Sequence, residues 1–506
     1  MHMKKRSVHH SRLSFFFVKK FLPLITSLLF FSGTTDPLVQ KKSGDRKSTP
    51  NIIIILCDDL GYGDLGMYGA SLYSTPYLDQ LAGQGMRFTE FYAAQAVCSA
   101  SRAGLLTGCY PNRIGITGAL DNNSKNGLSK DEKTIAEIVK EKGYATAIFG
   151  KWHLGHYKEF LPLQHGFDEY LGLPYSNDMW PMQYDGTPYK GTTTYRSKYP
   201  PLPLIRNNDK IETIRNLDDQ SKLTTIYTEN AVGFIRRNKT KPFFLYLPHS
   251  MPHVPLAVSS KFKGKSKQGL YGDVVMEIDW SVGEIMKELK KDGIENNTLL
   301  IFTSDNGPWL NFGNHAGSSG GLREGKGTSF DGGQKEPCIM RWPGVIPAGT
   351  ICNKLASTID LLPTATAIVN GKLPDHKIDG VNILSLLKDE KDANPRDVFY
   401  YYYRRNNLEA VRKGQWKLVF PHEGRSFENQ QPGNNGFPGV APENVKFDMA
   451  LYDLRRDPGE RYDVQKTYPD VVKELMELAE QARDDMGDDI TKRKGKNMRS
   501  SGLVKL

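Results

Sequence analysis

Carboxylate and amide side chains follow two apolar runs of the sequence. Asp58 and Asp59 directly follow one run, and Asp305 and Asn306 follow another. Three carboxylates and one amide oxygen are hard ligands, which suit Ca²⁺ or Mg²⁺ better than zinc. Taken alone, each pair is also explained by a turn or a helix cap.

A cysteine and an arginine stand four residues apart in the segment Cys98-Ser-Ala-Ser-Arg102-Ala-Gly-Leu-Leu-Thr-Gly108. A lone cysteine in a globular protein is usually a small buried hydrophobic residue, and a lone arginine is often a surface charge. The segment therefore needs support from the rest of the chain before it indicates chemistry.

Cationic side chains occur at three further places. Lys151 and His153 follow a predicted strand, where a spacing of two points both side chains the same way. His249 and His253 follow another apolar run, and Lys326 lies in a glycine-flanked loop. Positive groups in a dry site stabilise an anionic substrate, although each residue alone is more often structural.

These segments, in this order, resemble the signatures of the type I sulfatases over roughly residues 50–470. The resemblance implies the alkaline-phosphatase-like fold and a maturase that oxidises Cys98 to formylglycine (3-oxoalanine). It implies one bound Ca²⁺, rather than Mg²⁺, held by Asp58, Asp59, Cys98, Asp305 and Asn306. It also implies a catalytic set consisting of Cys98, Arg102, Lys151, His153, His253 and Lys326. His249 has no firm counterpart and is interpreted as a lining residue or a core histidine.

The implied reaction is hydrolysis of a sulfate monoester. The aldehyde made from Cys98 hydrates, and one hydroxyl attacks sulfur after it loses its proton to Asp305 or through activation by the metal. His253 and Lys326 hold the sulfate and protonate the departing alcohol. His153 then takes the proton of the second hydroxyl, the aldehyde forms again and sulfate leaves. A thiol has no geminal hydroxyl and could not complete this second step.

Two positions depart from the family pattern without removing a catalytic residue. Ala100 stands where proline is commoner, and Asp331 stands where glutamate is usual. Alanine also occurs at the first position, and the second change is expected to adjust loop packing only. Arg102 and Lys151 are therefore still expected to hold the hydrated aldehyde.

The substrate pocket is expected to be built by two loops, residues 173–222 and 307–324. Aromatic faces stack on sugar rings, and arginine pairs with sulfate or carboxylate groups. The hypothesis is a sulfate ester on a carbohydrate, near a chain end, although loop packing would explain each residue equally well. The candidate substrate-binding residues are Trp180, Arg196, Arg206, Trp309 and His315, with Tyr184, Tyr189 and Asn314 nearby.

Three other functions remain as alternatives. A phosphate mono- or diester hydrolase of the same superfamily would tend to use Ser or Thr and two zinc ions. A non-catalytic binder of sulfated glycans would be expected to lose charged site residues. Nucleic-acid binding is disfavoured because the net charge of +10 comes from the two termini, which leaves a body of about −4.

The termini predict export. Residues 1–34 combine lysines and arginines, a short apolar run and small residues, which is typical of a secretory signal peptide. An uncleaved membrane anchor is the alternative, and N-terminal sequencing of the secreted protein would decide. Residues 35–50 are interpreted as a linker and 491–506 as a frayed basic tail. A bacterial periplasmic or secreted enzyme is favoured, without a transmembrane segment in the mature chain.

The elements predict an α/β fold. Asn51–Leu56, Tyr144–Phe149, Phe243–Leu247 and Thr298–Thr303 are apolar on both faces, which indicates a large, mostly parallel sheet flanked by helices. Predicted helices begin at Pro76, cover Lys130–Lys142 and lie near 272–291. This catalytic domain is assigned to residues 51–394.

Residues 395–490 are expected to form a small antiparallel sheet and one helix. The predicted strands are Val398–Tyr403, Leu408–Arg412, Trp416–Phe420 and Leu451–Leu454, with a loop at 421–446 and a helix Pro469–Asp484.

The sequence contains five cysteines, an odd number. Conversion of Cys98 would leave four, and one or two disulfides would then be possible. Cys338 and Cys352 flank a turn region and are the favoured pair.

Overall fold

The structure, a computed structural model, describes residues 49–189 and 195–504. The predicted signal peptide 1–34 and all but the end of the predicted linker 35–50 lie outside the described residues. In the part of the chain that the structure describes, no helix combines the length and apolarity that a membrane span requires.

The strands begin with β1, directly before the first acidic pair. In chain order they are β1 Asn51–Cys57, β2 Met86–Phe88, β3 Phe91–Tyr92, β4 Asn126–Gly127, β5 Ala145–Phe149, β6 Glu169–Gly172, β7 Leu202–Arg206, β8 Asp209–Ile214, β9 Phe243–Pro248, β10 Thr298–Ser304, β11 Cys338–Arg341, β12 Thr350–Cys352, β13 Ala356–Ser357, β14 Val398–Tyr403, β15 Asn407–Lys413, β16 Trp416–Val419, β17 His422–Gly424, β18 Val445–Phe447, β19 Ala450–Asp453 and β20 Gly502–Leu503.

The helices fill the connections between these strands. They are α1 Pro76–Gly83, α2 Cys98–Thr107, α3 Ile135–Lys140, α4 Leu217–Gln220, α5 Leu223–Asn238, α6 Leu270–Lys291, α7 Asp331–Gln334, α8 Leu361–Ile368, α9 Leu384–Leu387 and α10 Pro469–Met486. Short 3₁₀ helices cover Gly66–Tyr68, Pro111–Ile114, Lys158–Phe160, Pro162–His165, Tyr195–Lys198, Glu295–Asn297, Leu310–His315 and Thr358–Asp360.

The large sheet is mixed, with a parallel centre. Among the described residues its strand order is β12-β2-β11-β10-β1-β9-β5-β6-β7-β8. The neighbours from β10 to β6 are parallel, whereas β11, β7 and β8 join the sheet through antiparallel pairs. Because β1 is central, the carboxyl ends of four adjacent parallel strands, β10, β1, β9 and β5, meet at one edge.

Both faces of the sheet are covered, as the apolar runs predict. Ile53 and Ile55 of β1 pack with α1, α5 and α6 on one face. Ile52 and Ile54 point the other way and pack with α2, α3 and α8. The alternation follows from the two-residue period of a strand, and burial on both sides explains why the run is apolar throughout. The α/β prediction is confirmed.

A smaller antiparallel sheet, β14-β15-β16-β19, follows residue 395 and carries α10 on one face. The four strands and the helix match the prediction to within two residues at each end. The region 421–446 was expected to be a loop, but β17 and β18 form a two-stranded ribbon at its two ends.

Two predictions about local structure are wrong. The helix expected over Lys130–Lys142 is shorter, because Thr134 and Glu137 form a reciprocal cap that begins α3 at Ile135. The tail expected to be frayed is instead docked along 495–504. Strand β20 pairs with β4, and the Arg499 guanidinium contacts both carboxylate oxygens of the buried Glu132 at 2.6 and 2.9 Å.

The favoured disulfide does not form in this structure. All five cysteines are free thiols. Cys338 on β11 and Cys352 on β12 both pair with Phe88 of the intervening β2, so they lie two strand spacings apart. Two spacings are about 9–10 Å, and a disulfide requires a Cα separation of roughly 4.4–6.8 Å.

Candidate active site

The predicted site residues converge at the carboxyl edge of the large sheet. Asp58 and Asp59 follow β1, Asp305 and Asn306 follow β10, and His253 lies in the loop after β9. Lys151 and His153 follow β5 in the same way. Ligand sites of open α/β sheets lie at this edge, so the strand order explains how residues distant in sequence meet.

Cys98 is the first residue of α2, and every residue of that helix is buried. Its sulfur lies 3.3 Å from Asp58 Oδ1, 3.4 Å from Lys326 Nζ and 4.0 Å from Asp59 Oδ1. The first backbone N–H groups of a helix have no partner within the helix, so they favour an anion at its N-terminus. Arg102 lies one turn further along the same face of α2, which brings its guanidinium into the same site.

Three cations neutralise the three carboxylates. Lys151 Nζ contacts Asp58 Oδ2 at 2.5 Å, and Arg102 contacts Asp305 Oδ2 at 2.8 Å and Asp58 Oδ2 at 3.4 Å. Lys326 Nζ lies 2.7 and 2.8 Å from the two oxygens of Asp59. We call this set the charged cluster; its members are Asp58, Asp59, Arg102, Lys151, Asp305 and Lys326.

The surroundings shift the pKa values of two carboxyl groups of the charged cluster in opposite directions. Burial opposes ionisation of Asp58, but Lys151 and then Arg102 outweigh burial and hold the pKa of Asp58 well below its usual range. Burial and then the charge of Asp58 raise the pKa of Asp305 to about 7. Asp58 therefore ionises more readily than Asp305.

The thiol of Cys98 is a poor nucleophile as it stands. Burial, and after it the charge of Asp58, raises the pKa of Cys98 far above the ordinary value for a thiol. Reactive cysteines have depressed pKa values and electropositive, partly exposed surroundings. Cys98 therefore lies where a nucleophile would act, but its side chain is a neutral thiol.

His253 and Trp309 form one wall of the site. The His253 Nε2 atom lies 3.6 Å from Asp59 Oδ2, and its ring centroid lies 5.6 Å from that of Trp309. Lys326 Nζ lies 4.5 Å from the Trp309 ring centroid, a cation–π contact. Trp309, which the sequence analysis gives as a candidate substrate-binding residue, therefore lies beside the charged cluster.

His153 reaches the site by a different geometry from the one predicted. Its φ is +61°, so the chain bends at this residue and the alternation of an extended strand does not apply. Its Nε2 atom lies 2.6 Å from Leu120 O, and its Nδ1 atom is buried without a hydrogen-bond partner. Burial, followed by Lys151 and Arg102, lowers the pKa of His153 well below its usual value. The ring is therefore neutral, with Nε2–H donating to the Leu120 carbonyl and the lone pair of Nδ1 free.

The donor set fits a hard divalent cation. One potential ligand atom from each of Asp58, Asp59, Cys98 and His253 lies within 4.8 Å of the others. Asn306 donates to Asp59 Oδ1 at 2.7 Å through its Nδ2 atom, and its Oδ1 atom is buried without a partner. Such an oxygen is costly unless a ligand completes it, and Ca²⁺ takes carboxylate and amide oxygens.

The predicted substrate-binding residues divide into two groups. Arg196 lies near the site, because its guanidinium pairs at 2.8 Å with Asp178, whose carboxylate interacts with His253 and Lys151. Trp180 is not available to a sugar, since it is 1 % exposed and packs in the core.

Two other predicted residues lie elsewhere. Arg206 is at the end of β7, four strands from β1 or about 19 Å at the usual spacing, so the structure does not bring it to the cluster. His315 is half-buried and lies beside Gly436 in the region 421–446. Contact of His315 with substrate therefore stays a prediction.

The sequence analysis missed two polar residues, Ser176 and Asp178, and left the role of His249 undecided. Ser176 accepts a hydrogen bond from Lys151 Nζ at 3.1 Å, and Asp178 orients Arg196. Both lie in the loop 173–222, where no motif distinguishes them. His249 is a core histidine, because it is fully buried against Ser281 and burial lowers its pKa to about 3.

Comparison with known proteins matches two family models to most of the chain. The model described as Sulfatase covers residues 50–371, and the one described as C-terminal region of aryl-sulfatase covers 394–502. Arylsulfatase A of Bos taurus is 38 % identical over 451 residues, 86 % of this chain and 87 % of that protein. N-acetylgalactosamine-6-O-sulfatase of Bacteroides thetaiotaomicron is 34 % identical over 521 residues, 92 % of this chain and 99 % of that protein.

Comparison with solved structures agrees with the family models. The crystal structure of the PsFucS1 sulfatase from Pseudoalteromonas sp. superposes with a TM-score of 0.77 at 29 % identity. That superposition covers 86 % of this chain and 90 % of the other.

Proposed function

This chain belongs to the sulfatase family and is a sulfuric ester hydrolase, and we propose that its nucleophile is a formylglycine made from Cys98 beside a bound calcium ion. The fold is that of the family, alkaline-phosphatase-like. The observation that carries the proposal is the position of the Cys98 sulfur, between a carboxylate at 3.3 Å and an ammonium at 3.4 Å.

Conversion of Cys98 would resolve a contradiction in the geometry. The side chain lies at the centre of the charged cluster, yet its surroundings raise the pKa of the thiol. A hydrated aldehyde at this position would supply one hydroxyl to attack sulfur and a second whose deprotonation expels sulfate. The maturase that makes the aldehyde is part of the proposal, because no group in the site oxidises a thiol.

Calcium would be held by Asp58, Asp59, Asp305 and Asn306 together with the converted side chain. It would supply positive charge beside the nucleophilic oxygen and the sulfate. The unpartnered Asn306 oxygen and the adjacent carboxylates of Asp58 and Asp59 support this assignment. Magnesium fits less well because it demands stricter octahedral geometry and retains several waters.

The residues of the chain divide the remaining work. Arg102 and Lys151 hold the converted side chain. Lys326 and His253, on the opposite side, hold the sulfate oxygens and deliver a proton to the departing alcohol. His153 has an unpartnered Nδ1 atom in a buried, neutral ring and takes the proton of the second hydroxyl. Cations in a water-poor site stabilise the developing charge strongly.

We propose a sulfated carbohydrate as the substrate. Relatives that cover most of this chain are named as sulfatases of N-acetylgalactosamine. In this structure Trp309 presents a half-buried ring beside His253 and Lys326, where a sugar could stack. An exported enzyme, periplasmic or secreted, would meet such polymers.

The nucleophile is tested by protein made with the maturase. The mass of the peptide that contains Cys98 should fall to that of formylglycine, and the denatured protein should titrate four thiols rather than five. Cys98→Ala should also titrate four, with hydrolysis of aryl sulfates reduced by at least about 10⁴-fold. An unmodified thiol in fully active protein would refute the proposal.

The substrate is tested with matched esters. Sulfated N-acetylgalactosamine oligosaccharides, 4-nitrophenyl sulfate and 4-nitrophenyl phosphate are compared by kcat/KM. We expect the sulfated sugar to be preferred and the phosphate to be the slowest. Release of sulfate from the aryl ester alone would contradict the carbohydrate assignment, and faster phosphate release would favour a phosphate ester hydrolase.

A further inference from the structure

A second group of buried charges lies behind the loop that carries Lys326. Lys417 on β16 lies between two carboxylates, 3.0 Å from Asp331 Oδ1 and 2.7 Å from Glu460 Oε1. All three side chains are inaccessible to solvent. Tyr401 adds to this arrangement, since its ring centroid lies 3.9 Å from Lys417 Nζ. We call Asp331, Lys417 and Glu460 the Lys417 node.

Asp331 connects this node to the active site. It begins α7, five residues after Lys326 in the same loop. Its backbone N–H donates to Glu460 at 2.7 Å, and its carboxylate accepts from the hydroxyls of Tyr92 and Tyr401 at 2.7 and 3.1 Å. The C-terminal side of the loop is therefore fixed by Lys417 and Tyr401 of the small sheet, together with Glu460 and Tyr92.

Other contacts fix the rest of the loop from the same side. Ser329 donates to Glu409 of β15 at 2.6 Å, and Arg425 donates to the Lys326 carbonyl at 3.3 Å. Glu324 accepts from the Ser426 hydroxyl at 2.5 Å and from the Phe427 N–H at 2.7 Å.

The sheet edge holds the other side of the loop. The Lys326 N–H donates to Pro308 O, and the Gly327 N–H donates to Ala96 O, both at 2.9 Å. Gly307 approaches Gly332 so closely that a Cβ on it would lie 1.9 Å from the Gly332 oxygen. The loop is thus clamped between the sheet edge, next to Asp305 and Asn306, and the small sheet.

From these contacts we infer that Lys417 is a positioning residue for catalysis: it fixes Asp331, and through Asp331 the place of the Lys326 ammonium beside Asp59 and Cys98. The inference rests on the proposed function for its kinetic part only. Misplacement of a catalytic group by about 1 Å can cost about 100-fold in rate. The small C-terminal sheet then contributes to catalysis, although all the proposed catalytic residues lie at the edge of the large sheet.

The test compares Lys417→Met with two matched variants. Lys417→Arg keeps a buried cation, and Leu475→Ala loosens α10 on the same sheet without touching the loop. On 4-nitrophenyl sulfate we expect Lys417→Met to lower kcat by about 100-fold and to leave KM within about threefold. The loss should be larger on phenyl sulfate, a poorer leaving group that needs the proton more. Lys417→Arg should recover most of kcat, and Leu475→Ala should retain it at temperatures where it is folded.

Hydrogen exchange gives a second readout that does not depend on activity. Amides of residues 323–335 should exchange about tenfold faster in Lys417→Met, while those of β1 remain protected. If Lys417→Met does not fold, Lys417→Gln takes its place, because it removes the cation but keeps a polar side chain between Asp331 and Glu460.

The outcomes separate the two proposals. Exchange of residues 323–335 at the wild-type rate in folded Lys417→Met, or in its substitute Lys417→Gln, would overturn the positioning role. Equal acceleration in Leu475→Ala would also overturn it, because general loosening of the sheet would then explain the effect. If the wild-type enzyme released no sulfate, the proposed function would fail, and the exchange rates alone would decide whether Lys417 orders the loop.

Discussion

The charged cluster and the Lys417 node are both buried, and both contain lysine and carboxylate side chains within 3.0 Å of each other. They differ in how completely their surroundings are hydrogen-bonded. Asp331 in the node accepts from two tyrosine hydroxyls as well as from Lys417. In the node, the Lys417 ammonium lies 2.7 Å from Glu460 Oε1, whereas beside the charged cluster the neutral atoms Asn306 Oδ1 and His153 Nδ1 have no partner. Buried charge therefore does not by itself mark a catalytic site, and the unpartnered Asn306 oxygen among the carboxylates supports a ligand at the charged cluster.

The strongest test of this contrast removes a ligand from the charged cluster. Asp59→Asn should lower bound calcium to well under one ion per chain and lower kcat on aryl sulfates by at least about 10³-fold. Wild-type protein at 100 times its calcium dissociation constant should gain about 2.7 kcal/mol in free energy of unfolding. The variant should gain almost nothing. Metal analysis and thermal melting with and without calcium measure both effects.

The control for Asp59→Asn comes from the node. Glu460→Gln also removes a buried carboxylate, but it should leave both the calcium content and the gain in stability unchanged. Equal loss of calcium from the two variants would mean that the distinction between the two regions is wrong.

The sequence was a good guide to the charged cluster. Asp58, Asp59, Asp305 and Asn306 follow strands whose apolar runs are long, and parallel strands bring such positions to one edge. The node could not be found in this way. Lys417 and Glu460 lie in short segments of ordinary composition, and only the docking of the small sheet against Asp331 brings them together.

The strands likewise divide into those that the sequence predicts and those that it does not. Runs such as Ile52–Leu56 identify central strands because both faces are buried. Strand β12 at the edge of the sheet and strand β2 beside it have only three residues each, and Arg87 interrupts the apolar character of β2, so no periodicity could identify them. The proposed Cys338–Cys352 disulfide is wrong for this reason, since β2 lies between the two cysteines.

A second test compares two lysines. Lys326→Met should lower kcat by about 10²–10³-fold, because a cation that stabilises the departing group is lost. In calcium-loaded protein its free energy of unfolding should change by less than about 1 kcal/mol, since the proposed ion would still neutralise Asp59 and Asn306 would still donate to it. Lys417→Met should instead lose about 3–5 kcal/mol, because Asp331 and Glu460 are left buried without their cation. Urea unfolding beside steady-state kinetics makes the comparison, and equal losses of stability would contradict it.

The smallest expected effect is a pH dependence of stability that belongs to the node. Burial raises the pKa of Glu460 to about 7, although Lys417 opposes the rise. Since the unfolded value is near 4.5, the native state binds the extra proton between these values, and stability falls as pH rises through this window. Urea unfolding from pH 4.5 to 7.5 should therefore show a decline of about 2 kcal/mol in wild type that Glu460→Gln lacks.

Leu475→Ala serves as the control, because it should lower stability equally at every pH and keep the wild-type slope. Parallel curves for wild type and Glu460→Gln would show that Lys417 keeps Glu460 charged throughout. The node would then be a permanently ionised group like the Asp58–Lys151 pair, and its pattern of hydrogen bonds would be the one remaining difference between the two regions.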